Sequence, residues 1–177
     1  MQINEILQKQ FLTFSLGNDE YAVQVLRIKE ILEYENVTRV PNTPRWVRGV
    51  FNLRGNVIPV IDLAVKFGFG HAEITKTTCI VVVELTLEDE PVVMGMLVDS
   101  VSEVIDLSTS DIKPAPAFGA KVDLQYLLGV VKIGKRLALL LDTDKILSAE
   151  ELPQVESAAL SATQESAAEI PQLNIGE

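Results

Sequence analysis

WVRGVFNLRGNVIPVIDLAVKF, from Trp46 to Phe67, returns 80 residues later as YLLGVVKIGKRLALLLDTDKIL, from Tyr126 to Leu147, without a gap. Gly49 falls on Gly129, Val50 on Val130 and Asp62 on Asp142. In the first copy two apolar runs flank the tip Arg54, Gly55 and Asn56, which predicts strand, turn, strand. DLAVKFG then predicts a helical turn with Asp62 as N-cap and Gly68 as its stop.

A second correspondence lies upstream. VLRIKEIL from Val25 aligns on VDSVSEVI from Val98 at an offset of 73, with Ile28 opposite Val101, Glu30 opposite Glu103 and, further on, Pro41 opposite Pro114. Two offsets that hold over several anchors mark an internal duplication. Each copy is rich in short β-branched runs, so the predicted class is mainly β with short helices: two small antiparallel barrels about a pseudo-twofold, the first unit about 11–70 and the second about 77–147. An exchange of strands between the copies stays open. FLTFSL, GNDE and YAVQV predict an opening hairpin, while the three-to-four spacing of Val25, Ile28 and Ile31 suits a short helix or a twisted strand equally. The difference between the offsets places an insertion in PAPAFGAKVD, where Phe118 reads either as an exposed anchor or as a lid over its own barrel.

Charge is unevenly distributed. Net charge is −10, yet all 15 basic residues precede Ser148 and six of the 25 acids follow it. From Ser148 on, the composition is Glu, Ala, Ser and Gln, which predicts a mobile acidic tail over 148–177, with 1–10 as a further flanking segment. Cys79 is the one cysteine, inside CIVVV, and predicts a buried, inert thiol in a reducing compartment. The apolar runs are far shorter than the ~18 residues of a membrane span. A cytoplasmic protein without membrane insertion is expected.

Reactive groups are scarce. His71 is the only histidine, so no Cys-His pair or metal cluster can be assembled, and neither cofactor nor catalysis is expected. GVVKIGKR, Gly129 to Arg136, approaches a phosphate-binding loop, but Arg136 stands where a hydroxyl should bind magnesium and strand-like runs lie on both sides. A hairpin turn is the better reading. Arg39, Arg45, Arg48 and Arg54 share an acid-free interval with Trp46 and Phe51. Against the acidic whole they are too sparse for nucleic-acid binding. What remains is an adaptor. Arg54 would suit an interface through its planar donors, or would simply be solvated at its turn.

GVFNLRGNVIPVIDLAVKFG (Gly49 to Gly68), with FLTFSLGNDEYAVQVLRIKEIL, VTRVPNTP and IKPAP, resembles the signature of the CheW family of chemotaxis coupling proteins over residues 11–147. The resemblance implies two five-stranded, Src-homology-3-like barrels and a non-enzymatic adaptor. Its implied partners are the cytoplasmic tips of methyl-accepting chemoreceptors and the regulatory domain of the histidine kinase CheA, met in arrays on the cytoplasmic side of the membrane. It implies a receptor groove at Val25, Ile28, Val98 and Val101, with Glu30 and Arg54 beside it, and a kinase-facing interface at Phe118, with Gly49 and Gly55. Ala117 stands where some relatives carry an acid, so a charged contact at that edge is not expected. The kinase itself or a receiver-bearing coupler would need domains for which 177 residues leave no room.

Overall fold

The computed structural model describes residues 9–70, 73–115 and 122–160. Strands β1 (Gln10–Leu16) and β2 (Asp19–Gln24) form the opening hairpin, paired from Phe11↔Gln24 to Leu16↔Asp19. At Val25 both readings of the periodicity hold in turn: a 3-10 turn over Val25–Arg27 leads into β3 (Ile28–Glu33). Then come β4 (Val47–Leu53), β5 (Asn56–Asp62) and the single helical turn α1 (Leu63–Lys66), whose N-cap Asp62 accepts a bond from the Val65 amide at 3.2 Å. The second half repeats the series with β6 (Cys79–Leu87), β7 (Glu90–Val98), β8 (Ser100–Asp106), β9 (Leu127–Ile133) and β10 (Arg136–Leu141). Asp142 caps the following 3-10 turn through the Asp144 amide at 3.2 Å, the counterpart of Asp62.

Two five-stranded sheets result, in the orders β8-β1-β2-β10-β9 and β3-β6-β7-β5-β4. The orders are equivalent strand for strand under the duplication, but neither sheet coincides with one sequence unit. Hairpin β1-β2 completes the sheet of the second copy, and hairpin β6-β7 that of the first. The unit boundaries 11–70 and 77–147 are therefore corrected to two sheets that exchange their opening hairpins. The exchanged joints are parallel and reproduce both sequence offsets: Val60 pairs with Gly95 in one sheet and Leu140 with Ala22 in the other.

Apolar residues cover both faces of each sheet. Phe11, Ala22, Val131, Ala138 and Leu140 fill the concave side of one sheet, and Phe51, Ile58, Val60, Ile80, Val82 and Leu97 that of the other. The intervening positions, among them Phe14, Tyr21, Val81, Val83, Met94 and Met96, form the largest cluster, shared between the sheets. Burial on both sides is why CIVVV and LALLL read as unbroken apolar runs rather than alternating ones. Burying each such side chain is worth roughly 1.5–3 kcal/mol, so the junction is a substantial part of the core.

The acidic tail is corrected at its start. Residues 152–160 are helical, and Val155 and Ala158, each 2% exposed, join the shared cluster with Leu152 packed against it. Ser148 and Glu151 bond reciprocally, side chain to backbone, at 3.2 and 3.0 Å, which satisfies amides at the entry to this helix. Glu151 also accepts a 2.6 Å bond from Lys66, whose side chain is only 3% exposed and sits 4.1 Å from the centroid of Trp46. Composition alone hid this docking, because two well-placed aliphatic side chains suffice to anchor one face of a short helix. Residues 161–177 lie outside the described segments.

Candidate protein-interaction surface

The tip between β4 and β5 is a two-residue turn, Leu53 pairing with Asn56. Arg54 has φ +54° and Gly55 φ +91°, the two positive values a type I′ turn requires. The Gly55 amide donates to the Asn52 side chain at 2.8 Å. Glycine, asparagine and aspartate favour the first central position; an arginine there carries backbone strain on the order of 1–2 kcal/mol. Its side chain is 78% exposed and touches Glu30 of β3, Nη2 to Oε1 at 3.2 Å. Such an exposed pair contributes at most about 1 kcal/mol. The strain is thus not repaid locally, and the guanidinium remains open to an incoming group.

Beneath the tip lies an open hollow of about 650 Å³, lined by Lys29, Glu30, Leu53, Arg54, Val57 and Val93 among others. Its walls are aliphatic and its rim charged. The equivalent tip of the second copy differs: Gly134 has φ +61° and Arg136 points its Nη1 to 2.9 Å from Glu20, which stands on β2 where Val93 stands on β7. GVVKIGKR is therefore a β-hairpin, with strand on both sides of its turn.

The four groove positions divide. Val25, Ile28 and Val101 are half-buried and pack on the shared cluster, whereas Val98 is fully buried. Val98 is corrected from a contact residue to support beneath the surface, because β7 is an inner strand flanked by β6 and β5. Two residues that the resemblance does not place in the groove stand on the surface. Ile31 of β3 is 43% exposed and Val104 of β8 is 54% exposed. They are equivalent at the offset of 73, and β3 and β8 are the corresponding edge strands of the two sheets. The repeat carried the signal: β-branched apolar residues at equivalent places on edges that no neighbouring strand covers among the described residues.

Gly49, too, lies below the surface. It is buried, and a Cβ there would run into the Thr38 carbonyl oxygen and lie 2.9 Å from Val37 Cγ1. Thr38 bridges to Val50 through bonds of 2.7 and 2.8 Å, so the glycine exists to let this segment close over β4. Gly129 does the same against Lys113, 2.5 Å from its carbonyl oxygen, where Lys113 bridges to Val130. Gly55 is exposed with nothing within 4 Å of a Cβ. Phe118 and His71 lie outside the described residues. Cys79 is half-buried rather than fully buried. Burial and the nearby Glu33 carboxylate raise its thiol pKa against a lowering backbone bond, which keeps it a poor nucleophile. Among the described residues no cluster of His, Cys, Asp or Glu could hold a metal, and no helix is long and apolar enough to cross a membrane.

Two interlocked sheets, a strained and exposed arginine tip and paired apolar edges define a scaffold that presents surfaces to other proteins. The chain belongs to the CheW-like domain family, whose model matches residues 10–151. It is 40% identical over 157 residues to the chemotaxis protein CheW of Klebsiella aerogenes, covering 89% of this chain and 92% of that one. The chemotaxis protein CheW of Helicobacter pylori is 39% identical over 139 residues, 78% of this chain and 81% of that protein. Protein FrzA of Myxococcus xanthus is 31% identical over 142 residues, 79% and 86% of the two chains. Among solved structures, the scaffolding protein TtCheW of Thermoanaerobacter tengcongensis superposes with a TM-score of 0.73 at 26% identity, covering 85% of this chain and 95% of that one. A chemotaxis scaffold is the function class these relatives define.

Proposed function

We infer that this chain couples chemoreceptors to the histidine kinase CheA, holding the receptor tip and the kinase regulatory domain on separate surfaces in a cytoplasmic array. One observation carries the reading: the six-residue strand β3 bears both candidate surfaces. Ile28 and Ile31 belong to its apolar edge, and Glu30 holds the Arg54 tip. A ligand that displaces one end of so short an element moves the other, which is what a coupler needs. Val25, Ile28 and Val101, with Ile31 and Val104, supply an apolar strip for a helical receptor tip. Arg54 and Gly55 at the tip, and Phe118 in the inserted loop, are the proposed polar and kinase-facing contacts. Signal transfer further requires that the scaffold bind the two kinase states unequally.

The test is co-sedimentation with receptor-bearing membranes and with the isolated kinase regulatory domain. Arg54→Glu is expected to cut retention by at least tenfold on one partner with an unchanged unfolding midpoint. Ile28→Asp is expected to cut receptor retention, with its fold checked by circular dichroism. Normal retention of both partners by folded Arg54→Glu and Ile28→Asp proteins would refute the reading.

A further inference from the structure

Between β2 and β3 the chain crosses from one sheet to the other through the 3-10 turn Val25–Arg27. This turn has little of its own to hold it: none of its residues is buried, and its N-cap Gln24 makes no side-chain bond. An isolated 3-10 turn is weakly bonded. Yet it sets Val25 against Ile28, whose amide closes the turn by donating to the Val25 carbonyl. Arg27, half-buried, reaches from the turn to Asp144, Nη2 to Oδ2 at 3.1 Å.

Asp144 is itself fixed before it meets the guanidinium. It lies in the 3-10 turn Thr143–Lys145 that follows β10, where its amide donates to the N-cap Asp142 at 3.2 Å. Its other carboxylate oxygen, Oδ1, accepts from the Thr86 amide at 2.8 Å. Thr86 belongs to the stretch of β6 beyond Val83, the residue opposite Ile28 where β3 begins. The carboxylate therefore satisfies an amide on a part of β6 that β3 does not pair. One side chain thus ties the end of one sheet, a strand of the other and the crossing between them. The duplication shows that the fold does not need an ion pair at this junction: at the equivalent positions, by the offsets of 73 and 80, stand Ser100 and Ala64. The side chains of Arg27 and Asp144 are 32% and 30% exposed, a setting in which an ion pair adds little stability but still fixes a geometry.

We propose that Arg27 and Asp144 are positioning residues for the receptor-facing edge: the pair holds the turn Val25–Arg27 in shape, and through it the placement of Val25 against Ile28, a role that rests on the reading of those two residues as receptor contacts. Neither charged side chain needs to touch the receptor. An apolar strip accepts a helix through side chains set at the spacing of the helix's own anchors. A turn left free to fray would have to be ordered at each encounter, at a cost in affinity. Asp144, anchored on Thr86 and Asp142, supplies that order in advance.

The test uses the full chain with Arg27→Gln, Asp144→Asn and the double variant, the asparagine keeping an acceptor for the Thr86 amide while removing the charge; Ile28→Asp is measured alongside. In the free protein the protection factor of the Ile28 amide is expected to fall at least about threefold in each single variant and no further in the double one, the non-additivity of a coupled pair. Retention on receptor-bearing membranes should fall about three- to fivefold, the range open to a pair this exposed, and Arg27→Lys should restore most of it. Binding of the kinase regulatory domain and the urea midpoint should not change. An unchanged Ile28 protection factor overturns the proposal. So does normal receptor retention by both single variants where Ile28→Asp loses it, a result that leaves the receptor reading standing. Equal loss of both partners with a lowered midpoint makes the pair merely structural and also overturns it. Normal receptor retention by Ile28→Asp overturns the receptor reading itself, and this role of the pair with it.

Discussion

Replacing Gly49 by alanine asks whether that glycine serves the fold or a partner. The added methyl would meet the Thr38 carbonyl oxygen and lie 2.9 Å from Val37 Cγ1. The obstacle is backbone, so no rotamer change relieves it. Thr38 must move away, and with it go the two bonds of 2.7 and 2.8 Å to Val50. Overpacking costs about 1–3 kcal/mol and each lost bond about 1 kcal/mol, so a total of about 3–5 kcal/mol is expected. For a domain of this size 1 kcal/mol moves the midpoint by roughly 2–4 °C, giving a drop of at least about 6 °C. Gly129→Ala meets the equivalent obstacle at Lys113, 2.5 Å from a Cβ, and should cost the same within about 1 kcal/mol. Gly55→Ala is the control: no atom lies within 4 Å, but φ is +91°, and the cost should stay near the ~1–2 kcal/mol of left-handed backbone. Calorimetry and urea unfolding of the three variants measure this. If Gly49→Ala keeps the wild-type midpoint yet loses partner binding, the steric argument fails and Gly49 is a contact residue after all.

Two further outcomes follow from the buried groups. Burial raises the pKa of Glu151, but its bond from Lys66 and the Ser148 amide outweigh this and hold it below the ordinary 4.5. Its stabilising contribution is therefore complete above that value and is lost as pH falls through the lower, folded one; amide protection factors in residues 152–160, taken relative to the intrinsic rate at each pH, should fall below about pH 4.5, whereas Glu151→Gln should show the lower protection already at pH 7. The Tyr21 hydroxyl is buried without a hydrogen-bond partner among the described residues, and burial, with Asp19 nearby, raises its pKa far above that of a free phenol. Tyr21→Phe should consequently hold or raise stability, by up to about 1 kcal/mol, measured by urea unfolding; a loss of 1 kcal/mol or more would show that the hydroxyl is bonded.

Much of the architecture is legible in the residues because it is written locally. Turn residues, the capping aspartates at 62 and 142 and the two constant offsets specify each hairpin and its copy. The Arg54 tip is legible as a turn. Its strain is not, since φ depends on how Leu53 and Asn56 pair. Val98 and Gly49 are buried, which the string does not show, because resemblance supplies a position without its depth. The exposure of Ile31 and Val104 is not legible either, because an exposed aliphatic residue and a buried one look the same in a string.

The chain by itself determined the elements, their duplication and the family to which they belong, since these rest on short-range periodicity and on turn chemistry. Which hairpin completes which sheet was decided only by tertiary structure. The two copies offer near-identical apolar edges to β1-β2 and β6-β7, so local pattern cannot choose between them. The exchange joins both sheets through one shared core, capped by the helix at 152–160, and it also leaves β3 and β8 as matching open edges.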